Sequence, residues 1–209
     1  MGIERFLSEA RKVFVNTSFC QKEPQVDAII DSMKKIRNAE VIQKYLTLYD
    51  FGGIKALDYL NIEENLNLSC GLFVVPEYGS LSLHSHPGMW GFVKVIVGSL
   101  RVVAYDPIQK DYENLSRFDA QVVKHDIVSE KSPNILHLTP THSNLHSIHS
   151  VDGPCVFLDL LAPPYSANRV CSYFINTTVD FSVSKLMSTP KEILELELFT
   201  IHKLLRELK

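Results

Sequence analysis

Apolar residues recur every three or four positions over the first fifty residues, then every second position from about residue 70. The opening stretch MGIERFLSEARKVF mixes charge with apolar residues at helical spacing, which predicts an amphipathic helix running to Val15. A second helix is predicted just after Pro24, with Val26, Ile29, Ile30 and Met33 on one face, and a further helix or turn over 41–49. Gly52-Gly53 ends that pattern. Strands are then predicted over 70–75, 80–86, 121–126, 135–139, 144–151, 155–161 and 172–178. Residues 91–96 and 99–105 flank Val97-Gly98 and read as a hairpin, and Asp152-Gly153-Pro154 and Pro163-Pro164 read as turns. Many short strands with regular turns argue for a sandwich or barrel.

After Thr189-Pro190-Lys191-Glu192, which has the form of an N-cap, a first-turn proline and a capping-box glutamate, the leucine-rich tail predicts a C-terminal helix over 189–209. The expected organisation is one domain over 1–209: a helical part over 1–50, a β-barrel over 70–178 and the final helix. With 45% hydrophobic residues in 209, the chain has enough apolar material for a core.

The formal net charge of -3 and the lack of a basic stripe argue against nucleic acid as a partner, and no apolar run is long enough to span a membrane. The N-terminal stretch does not have the form of a signal peptide, and Phe6 breaks the myristoylation pattern that Gly2 would begin. Cys20, Cys70, Cys155 and Cys171 are scattered without a CxxC pair, so reduced thiols and a cytoplasmic or nuclear location are expected.

The strongest local chemistry lies in Leu83-His84-Ser85-His86-Pro87-Gly88. On a strand, residues two apart share a face, so His84 and His86 can present two imidazoles to one metal. A facial site with open positions needs a third ligand, for which His125, His137, His142, His146 and His149 are candidates. His149 should face away from His146, while periodicity leaves His142 and His146 both open. His125, His137 and His202 fit surface or capping roles better. No carboxylate follows His86 at short spacing, so a three-histidine site would leave the metal its full charge and favour an anionic ligand such as a thiolate.

Two separated segments resemble one known family. HSHPGMWGFVKVIVGSLRVVAYD looks like the metal-binding strand pair of the cysteamine dioxygenase and plant cysteine oxidase family. SNLHSIHSVDGPCVFLDLLAPPYS looks like that family's second half, including its third histidine and its Leu-Ala-Pro-Pro-Tyr turn. The resemblance covers roughly 1–178. It implies a cupin double-stranded β-helix, Fe(II) held by His84, His86 and His146, and use of O2 to oxidise a thiol beside a free amine to its sulfinic acid. The substrate would be cysteamine or a protein N-terminal cysteine, the second of which can form an oxygen-sensing step. A monomer is the family-based expectation.

The resemblance also carries Asp159 and Tyr165 to the substrate pocket. It matches Cys171 and Tyr173 to a cysteine and tyrosine that become covalently linked in animal members. Against each stands a structural alternative: an aspartate satisfying turn amides, a core tyrosine, and two buried strand residues. Trp90 is bulkier than the pattern leads one to expect, which predicts a narrower pocket, and the C-terminal helix has no place in it. Two rivals are a cupin with another metal and a carboxylate ligand, and a non-catalytic cupin that binds a ligand or partner.

Overall fold

The computed structural model describes residues 2–15, 25–50 and 53–177, together with the backbone of 193–199. Three helices lead the chain: α1 (Ile3–Phe14), α2 (Val26–Lys34) and α3 (Asn38–Tyr45). Phe6, Ala10 and Phe14 stack on one side of α1, and Ile29 and Met33 on one side of α2, as a 3.6-residue period requires. These side chains are fully buried against Leu72, Val74, Phe92, Leu158 and Leu160. The helical expectation over 1–50 is met on the described residues, with α2 starting at Val26 after Gln25; Pro24 lies outside them.

Nine strands follow: β1 (Asp58–Glu64), β2 (Ser69–Val75), β3 (Ser80–Ser85), β4 (Trp90–Pro107), β5 (Arg117–Ser129), β6 (Leu136–Leu138), β7 (Leu145–Ala162), β8 (Tyr173–Asn176) and β9 (Ile193–Phe199). All pairings are antiparallel. Strand pairing closes into a ring, β3–β7–β4–β5–β9–β8 and back to β3. Beside that ring, β2 and β1 extend from the C-terminal half of β7, and β6 from the N-terminal half of β4. The closed ring with a second, helix-covered sheet is the double-stranded β-helix of a cupin. No helix among the described residues is long and apolar enough to cross a membrane.

The predicted hairpin at Val97-Gly98 is a bend inside one long strand. Gly98 takes φ 75°, and a Cβ there would come within 2.4 Å of the Pro154 carbonyl oxygen. The expected turn at Asp152-Gly153-Pro154 is the matching bend in β7, with φ 55° at Asp152 and 122° at Gly153. Register jumps there from Val97↔Val156 to Ser99↔Val151, so residues 152–155 oppose Gly98 alone. A bulge of this kind inverts which residues face inward. Before it, His146 and Ile148 of β7 face the interior; after it, Phe157, Asp159 and Leu161 do. His146 and Asp159, an odd number of positions apart, therefore share one cavity.

The C-terminal prediction is corrected over 193–199. This segment is a strand lying between β5 and β8, not part of a helix. Leu194-Glu195-Leu196-Glu197-Leu198 alternates with a period of two, and the edges of β5 and β8 both need a hydrogen-bonding partner. The remainder of 189–209 lies outside the described residues.

Candidate metal centre

His84 and His86 stand on β3 and just past its end, and His146 faces His84 in register from β7. All three are buried. Their ring centroids form a nearly equilateral triangle with sides of 4.7, 4.7 and 4.8 Å. One ligating nitrogen from each lies within 4.8 Å of the others, and among the described residues theirs is the one cluster of three or more metal-ligating side chains.

The outer nitrogens determine what the inner ones can do. His84 Nδ1 donates to the Ser82 carbonyl oxygen at 2.7 Å. His86 Nδ1 donates to the Tyr165 hydroxyl at 2.8 Å, and that hydroxyl donates to the Ser85 carbonyl oxygen at 2.7 Å. With Nδ1 protonated in both rings, each Nε2 keeps a free lone pair. These two Nε2 atoms stand 3.0 Å apart. Two lone pairs at that separation repel, but nitrogens ~2.1 Å from a metal and at right angles around it lie ~3.0 Å apart. The arrangement is therefore complementary to a cation. Burial lowers the basicity of all three rings, and their mutual proximity lowers His86 and His146 further, so all three are neutral donors at pH 7.

A cavity of about 420 Å³ opens onto the three rings. Phe73, Val93, Ile148, Phe157 and Leu161 make its apolar wall, and half-exposed Leu57 and Tyr173 stand at its mouth. Asp159 lines it too, and among the described residues it is the one of ordinary formal charge in the lining. Burial pushes the Asp159 carboxyl up to about 7, although part of its surface is accessible from the cavity. No hydrogen bond to Asp159 from a turn amide occurs among the described residues. Tyr165 lines the cavity with its hydroxyl already committed to Ser85 and His86. The Cys171 thiol is within hydrogen-bond reach of both Tyr165 and Tyr173, and the Tyr173 ring lies 6.1 Å from that of His84. Trp90 does not narrow the cavity: it packs on the outer, helix-covered face.

Residues 31–204 match the family model PCO_ADO. The chain belongs to the PCO_ADO family. Mouse 2-aminoethanethiol dioxygenase is 33% identical over 137 residues, covering 56% of this chain and 53% of that protein. A probable 2-aminoethanethiol dioxygenase of Dictyostelium discoideum is 29% identical over 171 residues, covering 80% and 78% respectively. Plant cysteine oxidase 1 of Arabidopsis thaliana is 30% identical over 144 residues, covering 68% and 47%. The chain thus spans about half the length of the mouse and plant relatives it matches. Among solved structures, a cupin superfamily protein of Desulfitobacterium hafniense aligns with a TM-score of 0.39 at 11% identity, covering 53% of this chain and 80% of that one. Such slight likeness carries no argument, and the fold rests on the strand pairing described above. The PCO_ADO match runs to 204, so it includes β9 and the tail that the motif resemblance left out.

Elsewhere in this PCO_ADO chain, the other described histidines are not part of the three-histidine cluster. His142 points outward, its Nδ1 2.5 Å from Asp106 Oδ2, while Asp106 Oδ1 accepts from the Ser143 amide at 2.6 Å. Ser143 takes φ 57°, and that turn breaks the alternation which left His142 and His146 indistinguishable. His149 faces Arg101 across the sheet, and His137 is exposed on β6. His202 lies outside the described residues.

Sequence reasoning missed Asn144. Its Nδ2 donates to the His86 carbonyl oxygen at 2.6 Å and to that of Thr139 at 3.1 Å, and its Oδ1 accepts from the His86 amide at 3.2 Å. The side chain ties the end of β3 to the start of β7, two residues before His146. A buried amide so close to a candidate ligand was the available signal.

Proposed function

We propose that this chain is a non-haem iron thiol dioxygenase that uses O2 to convert an aminothiol to its sulfinic acid. The observation that carries the reading is the convergence of three neutral imidazoles, two with their outer nitrogens anchored, on a cavity whose lining has, among the described residues, one carboxylate and no lysine or arginine. Iron held by His84, His86 and His146 would supply the redox chemistry through which a thiol reacts with dioxygen. The balance needs no other reductant, because thiol to sulfinate releases four electrons and O2 accepts four.

The chain's own groups define what can enter. Neutral ligands leave an electropositive centre that favours a thiolate. Asp159, which lines the cavity, would hold the substrate's ammonium group, while a free carboxylate on the substrate would find no counter-charge among the described lining residues. Tyr165 keeps His86 turned inward. The apolar walls limit water around the reacting sulfur. A cavity of about 420 Å³ has room beyond the few heavy atoms of cysteamine, which favours a peptide N-terminal cysteine as substrate. Such a thiol stays free in a reducing compartment, so the cytoplasm is the proposed site of action.

Metal analysis together with an oxygen electrode tests the reading. Iron-replete protein should consume one O2 per thiol oxidised, with cysteamine or a Cys-initiated peptide but not with free cysteine. Oxygen uptake that is independent of thiol, or supported equally by free cysteine, would contradict the proposed pocket chemistry.

A further inference from the structure

A second, smaller cavity lies behind His146. It has a volume of about 30 Å³, and its apolar wall includes Val102, Ala104, Leu138 and Ile148. Since one water occupies ~10–15 Å³ by this kind of measure, there is room for about two water-sized spheres, the size of a diatomic molecule. Its walls are mostly apolar, and apolar cavities stay dry and take up apolar guests. The polar side chains on this wall are Lys124, His137, Ser143 and His146, and Ser143 Oγ is buried there without a hydrogen-bond partner.

Its position gives the cavity a use. His146, Val93 and Ile148 wall both this cavity and the larger one, so these side chains are what separates the two. At the other end, Lys124, Leu136 and His137 wall both this cavity and a surface groove. This approach to His146 lies away from the mouth at Leu57 and Tyr173. A thiol peptide seated in the larger cavity would block its mouth, and a second reactant would then need separate access.

We propose that the small cavity is a dioxygen site, filled from the Lys124–His137 side while the thiol substrate occupies the larger pocket. The proposal rests on the dioxygenase reading above. Two measurements on the full chain test it. Crystals pressurised with xenon, metal-free and iron-loaded, should show xenon between Val102, Leu138 and Ile148. Val102→Phe should abolish that xenon and raise KM for O2 several-fold at saturating thiol, leaving KM for thiol and iron content unchanged. If Val102→Phe does not fold, Val102→Leu carries the same test at smaller amplitude, and Val102→Ala should increase xenon occupancy.

An ordered water in place of xenon, or an unchanged KM for O2 in a folded, iron-replete plugged variant, would overturn the proposal. Absence of xenon from a protein that does consume O2 with thiol would sink the gas site alone. Xenon in a protein that consumes no O2 would sink the dioxygenase reading, and the oxygen assignment with it.

Discussion

The two faces of β7 beyond its bend have different tasks. Leu158, Leu160 and Ala162 face outward and are fully buried beneath α1 and α2. Phe157, Asp159 and Leu161 face inward, onto the cavity that also exposes His146. The outer face is wholly apolar, and its burial stabilises the fold at roughly 25 cal/mol per Å². The inner face places a carboxylate and an imidazole where desolvation disfavours their charge. One strand thus separates stability from chemistry by the side on which a residue points.

The largest effect should come from the inner face. His84→Ala, His86→Ala or His146→Ala should abolish iron retention and thiol oxidation while the metal-free protein still melts cooperatively. Iron content by plasma emission and a calorimetric scan check both halves. Near-wild-type activity in any one variant would remove that residue from the ligand set.

Next, Leu160→Ala on the outer face should cost ~2–5 kcal/mol in denaturant unfolding, from lost burial and the cavity left behind. The folded fraction should bind iron as the parent does. Weaker iron binding at equal folded fraction would show that the two faces are coupled.

A smaller change is expected from Asn144→Ala, which cuts the link between His86 and the start of β7. Metal affinity should fall ~10–100-fold, the usual cost of losing a group that orients ligands. Cobalt titration measures it, and an unchanged affinity would make Asn144 a purely structural residue.

The smallest effect concerns Asp159. Its carboxyl titrates at about 7 in the fold against an ordinary 3.8, so the folded state holds a proton that the unfolded state has released between those values. Stability of the metal-free protein should therefore fall as pH rises from 4 to 7. Asp159→Asn should remove that slope and gain about 1–2 kcal/mol above pH 7, a figure discounted because the carboxyl also faces the cavity. Urea titrations at pH 5 and 8 check the sign.

Much of this was legible in the sequence because strand parity is a hard constraint. His84-Ser85-His86 had to place two imidazoles together, and the apolar run 155–162 around one aspartate had to be a strand buried on both faces. The bends at Gly98 and Gly153 were misread because a glycine between two strand-like runs marks a turn and a bulge alike. The residues that distinguish them are cross-strand neighbours, remote in sequence. Residues 193–199 were misread because leucines at 194, 196, 198, 204, 205 and 208 satisfy helical and strand periods in turn. Their strand form depends on the open edges of β5 and β8, which local pattern does not reveal. Trp90 was expected to narrow the pocket because it is bulkier than the family pattern at that place, but its side chain packs on the other face of β4.

The central claim is that His84, His86 and His146 support addition of both atoms of O2 to a thiol. Mass spectrometry of a Cys-initiated peptide incubated with iron-loaded protein under ¹⁸O2 tests it most directly. The account predicts a product with two labelled oxygens on sulfur, and none with His146→Ala. An unmodified peptide, with cysteamine also unmodified and iron confirmed on the protein, would contradict it.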